Sequence, residues 1–138
     1  MRALAGLVLG ALLLAGCETA FVGRAPAGRY ALVEVNGRAP PHTIDPPDHC
    51  LTRIDAGHFE LDALARRFEM VLDRAGSCSP PADVLERGSY LRRGGRLELE
   101  AAPPGGTART LLATESGDTI TLNYDGLRLR FRQSAPQR

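Results

Sequence analysis

Thr119-Ile120-Thr121-Leu122-Asn123-Tyr124-Asp125-Gly126-Leu127-Arg128-Leu129-Arg130-Phe131-Arg132 is the stretch that decides the fold. Ile120, Leu122 and Tyr124 alternate with Thr119, Thr121 and Asn123, and Leu127, Leu129 and Phe131 then alternate with Arg128, Arg130 and Arg132. Successive side chains of a strand point to opposite faces, so this alternation means one apolar face buried and one polar face in water. Asp125-Gly126 between the two runs is a tight hairpin turn, since both residues tolerate positive φ.

The same pattern runs back along the chain. Leu97 and Leu99 alternate with Arg96, Glu98 and Glu100. Strands are expected at 29–35, 51–54 continuing as 58–62, 66–73, 87–92, 96–100, 107–114, 119–124 and 127–132, eight in all. Asn36-Gly37, Gly94-Gly95, Gly105-Gly106 and Gly117-Asp118 punctuate them, and Ala56-Gly57 marks an expected kink or bulge in the second strand. Eight short strands with short links predict an all-β domain closed as an antiparallel up-and-down barrel, which leaves no sheet edge exposed. The expected inward set is Tyr30, Leu32, Phe59, Leu61, Phe68, Met70, Leu72, Tyr90, Leu97, Leu99, Leu111, Ile120, Leu122, Leu127, Leu129 and Phe131.

One segment also fits a helix. Leu61, Leu64, Ala65, Phe68, Val71 and Leu72 follow helical spacing, with Asp62, Arg66, Arg67, Glu69 and Asp73 opposite. A helix over 62–74 is therefore the rival of a hairpin centred on Leu64. The hairpin is preferred because its register, which sets Asp62 opposite Arg66, also brings Cys50 opposite Cys78 unless a bulge shifts it.

The N-terminus carries a different signal. Arg2 precedes an uninterrupted apolar run over 3–14, and Leu14-Ala15-Gly16-Cys17 closes it with small residues ahead of a cysteine. About a dozen residues are too few to span roughly 30 Å of hydrocarbon as a helix. The segment resembles the lipobox of bacterial lipoproteins; an ordinary signal peptide with an incidental cysteine is the competing reading. The resemblance implies cleavage before Cys17 and lipid on its thiol. It divides the chain into a signal peptide over 1–16, a lipidated cysteine and tether over 17–27, the barrel over 28–133 and a tail over 134–138. Several acyl chains give stable attachment at about 0.8 kcal/mol per buried methylene. Glu18 stands where an Asp favours inner-membrane retention. The implied location is thus the cell envelope, on the inner leaflet of the outer membrane and facing the periplasm, with a Gram-positive membrane anchor as the alternative.

All 17 basic side chains besides histidine are Arg, and loss of Arg2 with the signal leaves sixteen against 16 acidic residues. A near-neutral mature domain argues against a nucleic-acid partner, which calls for a basic excess. If lipid takes Cys17, Cys50 and Cys78 remain of the three cysteines in a compartment where disulfides persist, and one intramolecular bridge is expected. The alternative, a free Cys50 thiol activated by His49, is disfavoured because adjacent residues point apart on an extended chain.

Gly28-Arg29-Tyr30-Ala31-Leu32 leading to Val35-Asn36-Gly37, Gly57-His58-Phe59-Glu60-Leu61, Gly88-Ser89-Tyr90 and Gly126-Leu127-Arg128-Leu129-Arg130-Phe131 resemble the small lipocalin-like domains of bacterial lipoproteins, within the calycin group of barrels. Lipocalins open on Gly-x-Trp with an arginine of the last strand over the ring. Here the resemblance puts Gly28-x-Tyr30 in that place and Arg130 or Arg132 as partner, in a chain without Trp. It implies a module that binds either a small ligand or a protein, since similar barrels include inhibitors of secreted proteases.

Candidate sites follow. Tyr30, Leu32, Phe59, Phe68, Tyr90, Leu129 and Phe131 are the expected walls of a ligand pocket, with 36–50 as a lid over the barrel mouth. Arg128, Arg130 and Arg132 form an outward stripe suited to lipid phosphates or an acidic partner, unless Glu98 and Glu100 pair with it. His42, Asp45, Asp48 and His49 have zinc-ligand chemistry but no recognised spacing, so no metal and no cofactor are expected. No nucleophile elbow, phosphate loop or His-Glu-x-x-His motif is present in the sequence. The expectation is a lipid-anchored, non-catalytic periplasmic binding module for a small apolar or amphipathic ligand. Second comes an envelope module that binds or inhibits a protein through a filled barrel, and an enzyme comes third.

Overall fold

The computed structural model describes residues 27–46, 48–78, 83–102 and 105–135. The expected signal peptide, Cys17 and nearly all of the tether lie outside them. Among the described residues nine strands form one sheet: β1 (Gly28–Val35), β2 (His42–Ile44), β3 (Thr52–Asp62), β4 (Arg67–Gly76), β5 (Val84–Arg93), β6 (Arg96–Ala101), β7 (Arg109–Ser116), β8 (Thr119–Tyr124) and β9 (Leu127–Gln133). The order is β1-β9-β8-β7-β6-β5-β4-β3, and β1 pairs back onto β3. This is a closed eight-stranded antiparallel up-and-down barrel, the fold class the sequence predicts, with β2 added outside the ring.

The last hairpin follows its alternation except at its ends, where Thr119, expected outward, is buried and Leu127, expected inward, is only partly so. Ile120 faces Phe131 and Leu122 faces Leu129 on the buried side, while Thr121 faces Arg130 on the outer side. Asp125 and Gly126 take φ of 46° and 79°, the two positive values that a type I′ turn requires.

Over 62–74 the hairpin forms rather than a helix. Its register near the turn differs by one residue from the expected one: Asp62 faces Arg67, not Arg66. The register then shifts between Ile54 and Ala56, a bulge at Asp55 rather than at Ala56-Gly57. That extra residue restores the alignment below it, so Thr52 faces Gly76 and Cys50 meets Cys78. The disulfide forms with its Cα atoms 5.3 Å apart, inside the normal bridging range.

The interior is a single apolar cluster. Tyr30, Phe59, Met70, Leu97, Leu99, Ile120, Leu122, Leu129 and Phe131 are all at 0% exposure. Phe59 stacks on Phe68 with centroids 5.8 Å apart and tilts against Phe131 at 5.6 Å. Val35, Ile54, Ala101, Ala113 and Tyr124 join the expected inward set, and Leu127 is only partly buried. Gly88 lies opposite Phe68 and Ala101, and a Cβ there would come within 1.8 Å of the Glu100 carbonyl oxygen.

The barrel has two distinct ends. At the tether end, β1 begins and the β3–β4, β5–β6 and β7–β8 turns cluster. At the lid end lie 36–50, the disulfide and the β8–β9 turn. Ile44 of β2 is partly buried and packs on the core there, as do Val84 and Leu127. Among the described residues, every strand pairing and the disulfide fall between Gly28 and Gln133.

Two outcomes are expected. Cys50→Ala with Cys78→Ala lowers the urea unfolding free energy by about 3 kcal/mol, because the open loop gains entropy in the unfolded chain. Gly88→Ala destabilises more than Gly106→Ala, because the β5–β6 pair must separate to admit a methyl group. Equal midpoints in either comparison contradict the register described above.

Candidate functional site

Alternation puts every second residue of a strand inside the barrel, including charged ones. On β5 the inward positions run Glu86, Gly88, Tyr90 and Arg92; on β7 they run Arg109, Leu111, Ala113 and Glu115. The two strands flank β6 and point the same way. Glu86 therefore stands near Arg109 at the lid end, and Arg92 near Glu115 at the tether end. Each pair is 23 residues apart in sequence.

At the tether end, Arg92 donates from Nε to Glu115 Oε1 at 3.0 Å, with Nη2 also 3.0 Å away. Its guanidinium lies over the Tyr90 ring, 5.6 Å from the centroid. The Tyr30 hydroxyl shares this neighbourhood. Burial pushes its pKa up to about 12, with Arg92 pulling the other way and Glu115 and Asp118 adding to the rise.

At the lid end, Glu86 Oε1 accepts from the Tyr124 hydroxyl at 2.8 Å and from Arg109 Nη2. Arg109 also donates to Asp125 Oδ1 at 3.0 Å and lies over the Tyr124 ring, 4.8 Å from its centroid. The bond to Glu86 holds Arg109 charged, pushing its pKa up further. Burial, then the bond to Glu86, raises Tyr124 to about 12. Glu86 Oε2 is buried with no hydrogen-bond partner among the described residues. Each mouth of the apolar interior is thus capped by a glutamate, an arginine and a tyrosine.

The expected ligand walls Tyr30, Leu32, Phe59, Phe68, Tyr90, Leu129 and Phe131 are brought together, as members of the packed cluster. Arg130 and Arg132 do not lie over Tyr30. They stand on the outer face while Tyr30 is inside, and the arginine at Tyr30's end is Arg92. Nor do Glu98 and Glu100 pair with the arginine stripe, because β6 is not a neighbour of β9. Arg130 instead meets Glu34 at 3.1 Å and Arg132 meets Asp118 at 3.9 Å. Arg128 is exposed and takes part in no ion pair among the described residues.

Two polar grooves mark the outer wall. One of about 690 Å³ crosses β1, β9 and β8, lined by Glu34, Asn36, Ser116, Thr121, Arg128 and Arg130 among others. The other, about 650 Å³, follows a cross-strand ladder of Arg29, Glu60, Glu69 and Arg87. Of the residues with zinc-ligand chemistry, His49 Nδ1 comes 3.6 Å from Asp45 Oδ1, and no group of three or more such ligands forms among the described residues.

The caps were not expected from the sequence. Their signal was there: Glu86, Gly88 and Tyr90 continue the period of two backwards from the expected strand at 87–92, and Glu115 continues it forwards from Leu111 and Ala113. An apolar reading of alternation stops at the first charge.

Tyr30 and Tyr124 bind their protons more tightly folded than unfolded. Their stabilising contribution is full below the ordinary phenol pKa of 10.0 and is lost as pH rises from there towards 12. Thermal melts are expected to fall steeply above pH 10, and Tyr124→Phe to flatten that fall. An unchanged slope in the variant contradicts the lid-end cap. The chain matches no protein-family model, no curated protein and no solved structure.

Proposed function

We propose that this chain is a lipid-anchored, non-catalytic binding module of the cell envelope that works through its outer surface. The observation that carries the reading is the filled interior. The side chains expected to wall a ligand pocket are packed on one another, and both mouths are capped by ion pairs with a buried glutamate. Surface chemistry is then what remains for recognition. The groove across β1, β9 and β8 is the contact proposed, because among the described residues Arg128 there has no ion-pair partner and stands beside polar Asn36, Ser116 and Thr121. Its chemistry fits a carboxylate-bearing segment of an envelope protein.

A second reading keeps the small ligand. Among the described residues Glu86 Oε2 is a buried acceptor without a donor, at the end of the barrel where Ile44 packs on the core. An amphipathic molecule presenting a donor there, with its apolar part displacing Ile44, satisfies that oxygen.

Native mass spectra of the chain purified from its envelope separate the two. A bare mass before and after denaturation, together with a discrete photo-crosslink from a benzophenone side chain at Ser116 that Arg128→Glu abolishes, is the expected result. A small-molecule adduct released on unfolding transfers the function to the lid end.

A further inference from the structure

The β3–β4 turn exposes an apolar side chain that the fold does not need. Leu64 is 99% exposed, between Ala63 and Ala65. The turn is nonetheless fixed. Asp62 Oδ1 accepts from the Leu64 amide at 2.9 Å and from the Ala65 amide at 3.0 Å. The Arg66 carbonyl accepts from the Tyr90 amide at 3.0 Å, tying the turn to β5. Leu91, 43% exposed, borders the same corner with Ala63 and Arg66.

Around this apolar tip stand exposed arginines. Arg66 and Arg67 lie in or beside the turn, and Arg93 and Arg96 flank the adjacent β5–β6 turn. Arg93 meets Glu98 at 3.4 Å. Arg66, Arg67 and Arg96 take part in no ion pair among the described residues. An exposed leucine ringed by unpaired cations is the chemistry that meets an anionic bilayer, with phosphates at the guanidinium groups and the side chain among the acyl chains.

The chain's course points the same way. Gly28 faces Leu61 at the base of this hairpin, so the segment leading back to Cys17 joins the barrel at the end that carries Leu64. Ten residues separate Cys17 from Gly28, and the eleven steps between them span at most about 40 Å even fully extended. A lipid on Cys17 keeps this end within reach of the membrane.

We infer that the tether end is a second membrane contact. Leu64 enters the interface of an anionic phospholipid bilayer, Arg66, Arg67 and Arg96 bind its phosphates, and the barrel stands on the membrane with its lid end facing away. The inference rests on the lipid-anchor reading for its geometry.

The chain has no Trp, so Leu64→Trp installs a single reporter. The variant is purified from the envelope, its N-terminal peptide is weighed for acylation, and the protein is mixed with vesicles of phosphatidylethanolamine and phosphatidylglycerol carrying brominated acyl chains. Leu112→Trp, at an exposed site on the barrel wall, is the control. The expected result is a blue-shifted, bromine-quenched indole at position 64 and a solvent-like, unquenched one at position 112. Arg66→Glu with Arg67→Glu and Arg96→Glu abolishes the quenching at 64. No quenching at 64, equal quenching at both sites, or quenching that survives the arginine changes overturns the inference. The mass measurement keeps the two readings apart: an acylated chain unquenched at 64 defeats only the membrane contact, and an unacylated chain quenched at 64 defeats only the anchor.

Discussion

The structure depends on the four-residue antiparallel pairing of β1 with β3. Gly28, Arg29, Tyr30 and Ala31 face Leu61, Glu60, Phe59 and His58. This contact joins the first strand to a sheet whose other edge is already built, turning an open ribbon into a barrel. Without it two edges stand exposed and the interior opens to water. The two strands part immediately beyond Ala31 and His58, and each has a bulge there, between Leu32 and Glu34 in β1 and between Ile54 and Ala56 in β3. A bulge bends and twists its strand. β1 then continues along β9 alone, while β3 takes β2 as a new neighbour. Closure, divergence and the packing of Ile44 on the core at the lid end are consequences of those few residues.

Closure also explains the charged caps. Burying an unpaired carboxylate costs several kcal/mol, so Glu86 and Glu115 are tolerable only where an arginine from a fixed neighbour meets them. β6 holds β5 and β7 in fixed register, which matches glutamate to arginine at both ends. A slip of one residue would turn Tyr90 outward and bury Ser89 and Arg87 instead. The caps bury the rings of Tyr30, Tyr90 and Tyr124, with the Tyr124 hydroxyl on Glu86, the Tyr30 hydroxyl near Arg92 and Glu115, and the Arg92 guanidinium over the Tyr90 ring.

Much of this was legible. The alternation at 119–132 specifies both strands, their turn and their buried face, and repetition of that pattern specifies the barrel. The cysteine spacing favours a hairpin over a helix at 62–74, while the pairing near the turn, Asp62 with Arg67, lies one residue from the register that spacing implies. The bulge that reconciles the two is a property of backbone pairing, and Asp55 carries no mark of it. The three-residue β2 was invisible in a proline-rich stretch, because its pairing is set by β3 rather than by its own residues. The arginine stripe was seen, but its partners depend on strand order, which placed Glu34 and Asp118 beside it instead of Glu98 and Glu100. Inward charges were missed because pairing across an intervening strand is a tertiary fact.

Amide hydrogen exchange at the closing pair tests the central claim most directly. In a closed, filled barrel, the amides hydrogen-bonded between 28–31 and 58–61 open only when the whole molecule unfolds. They are therefore expected to exchange at the same free energy as those joining β6 to β7. Exchange at the closure many times faster than at β6–β7, with the rest of the sheet still protected, would mean an open sheet with an accessible interior and would contradict the account.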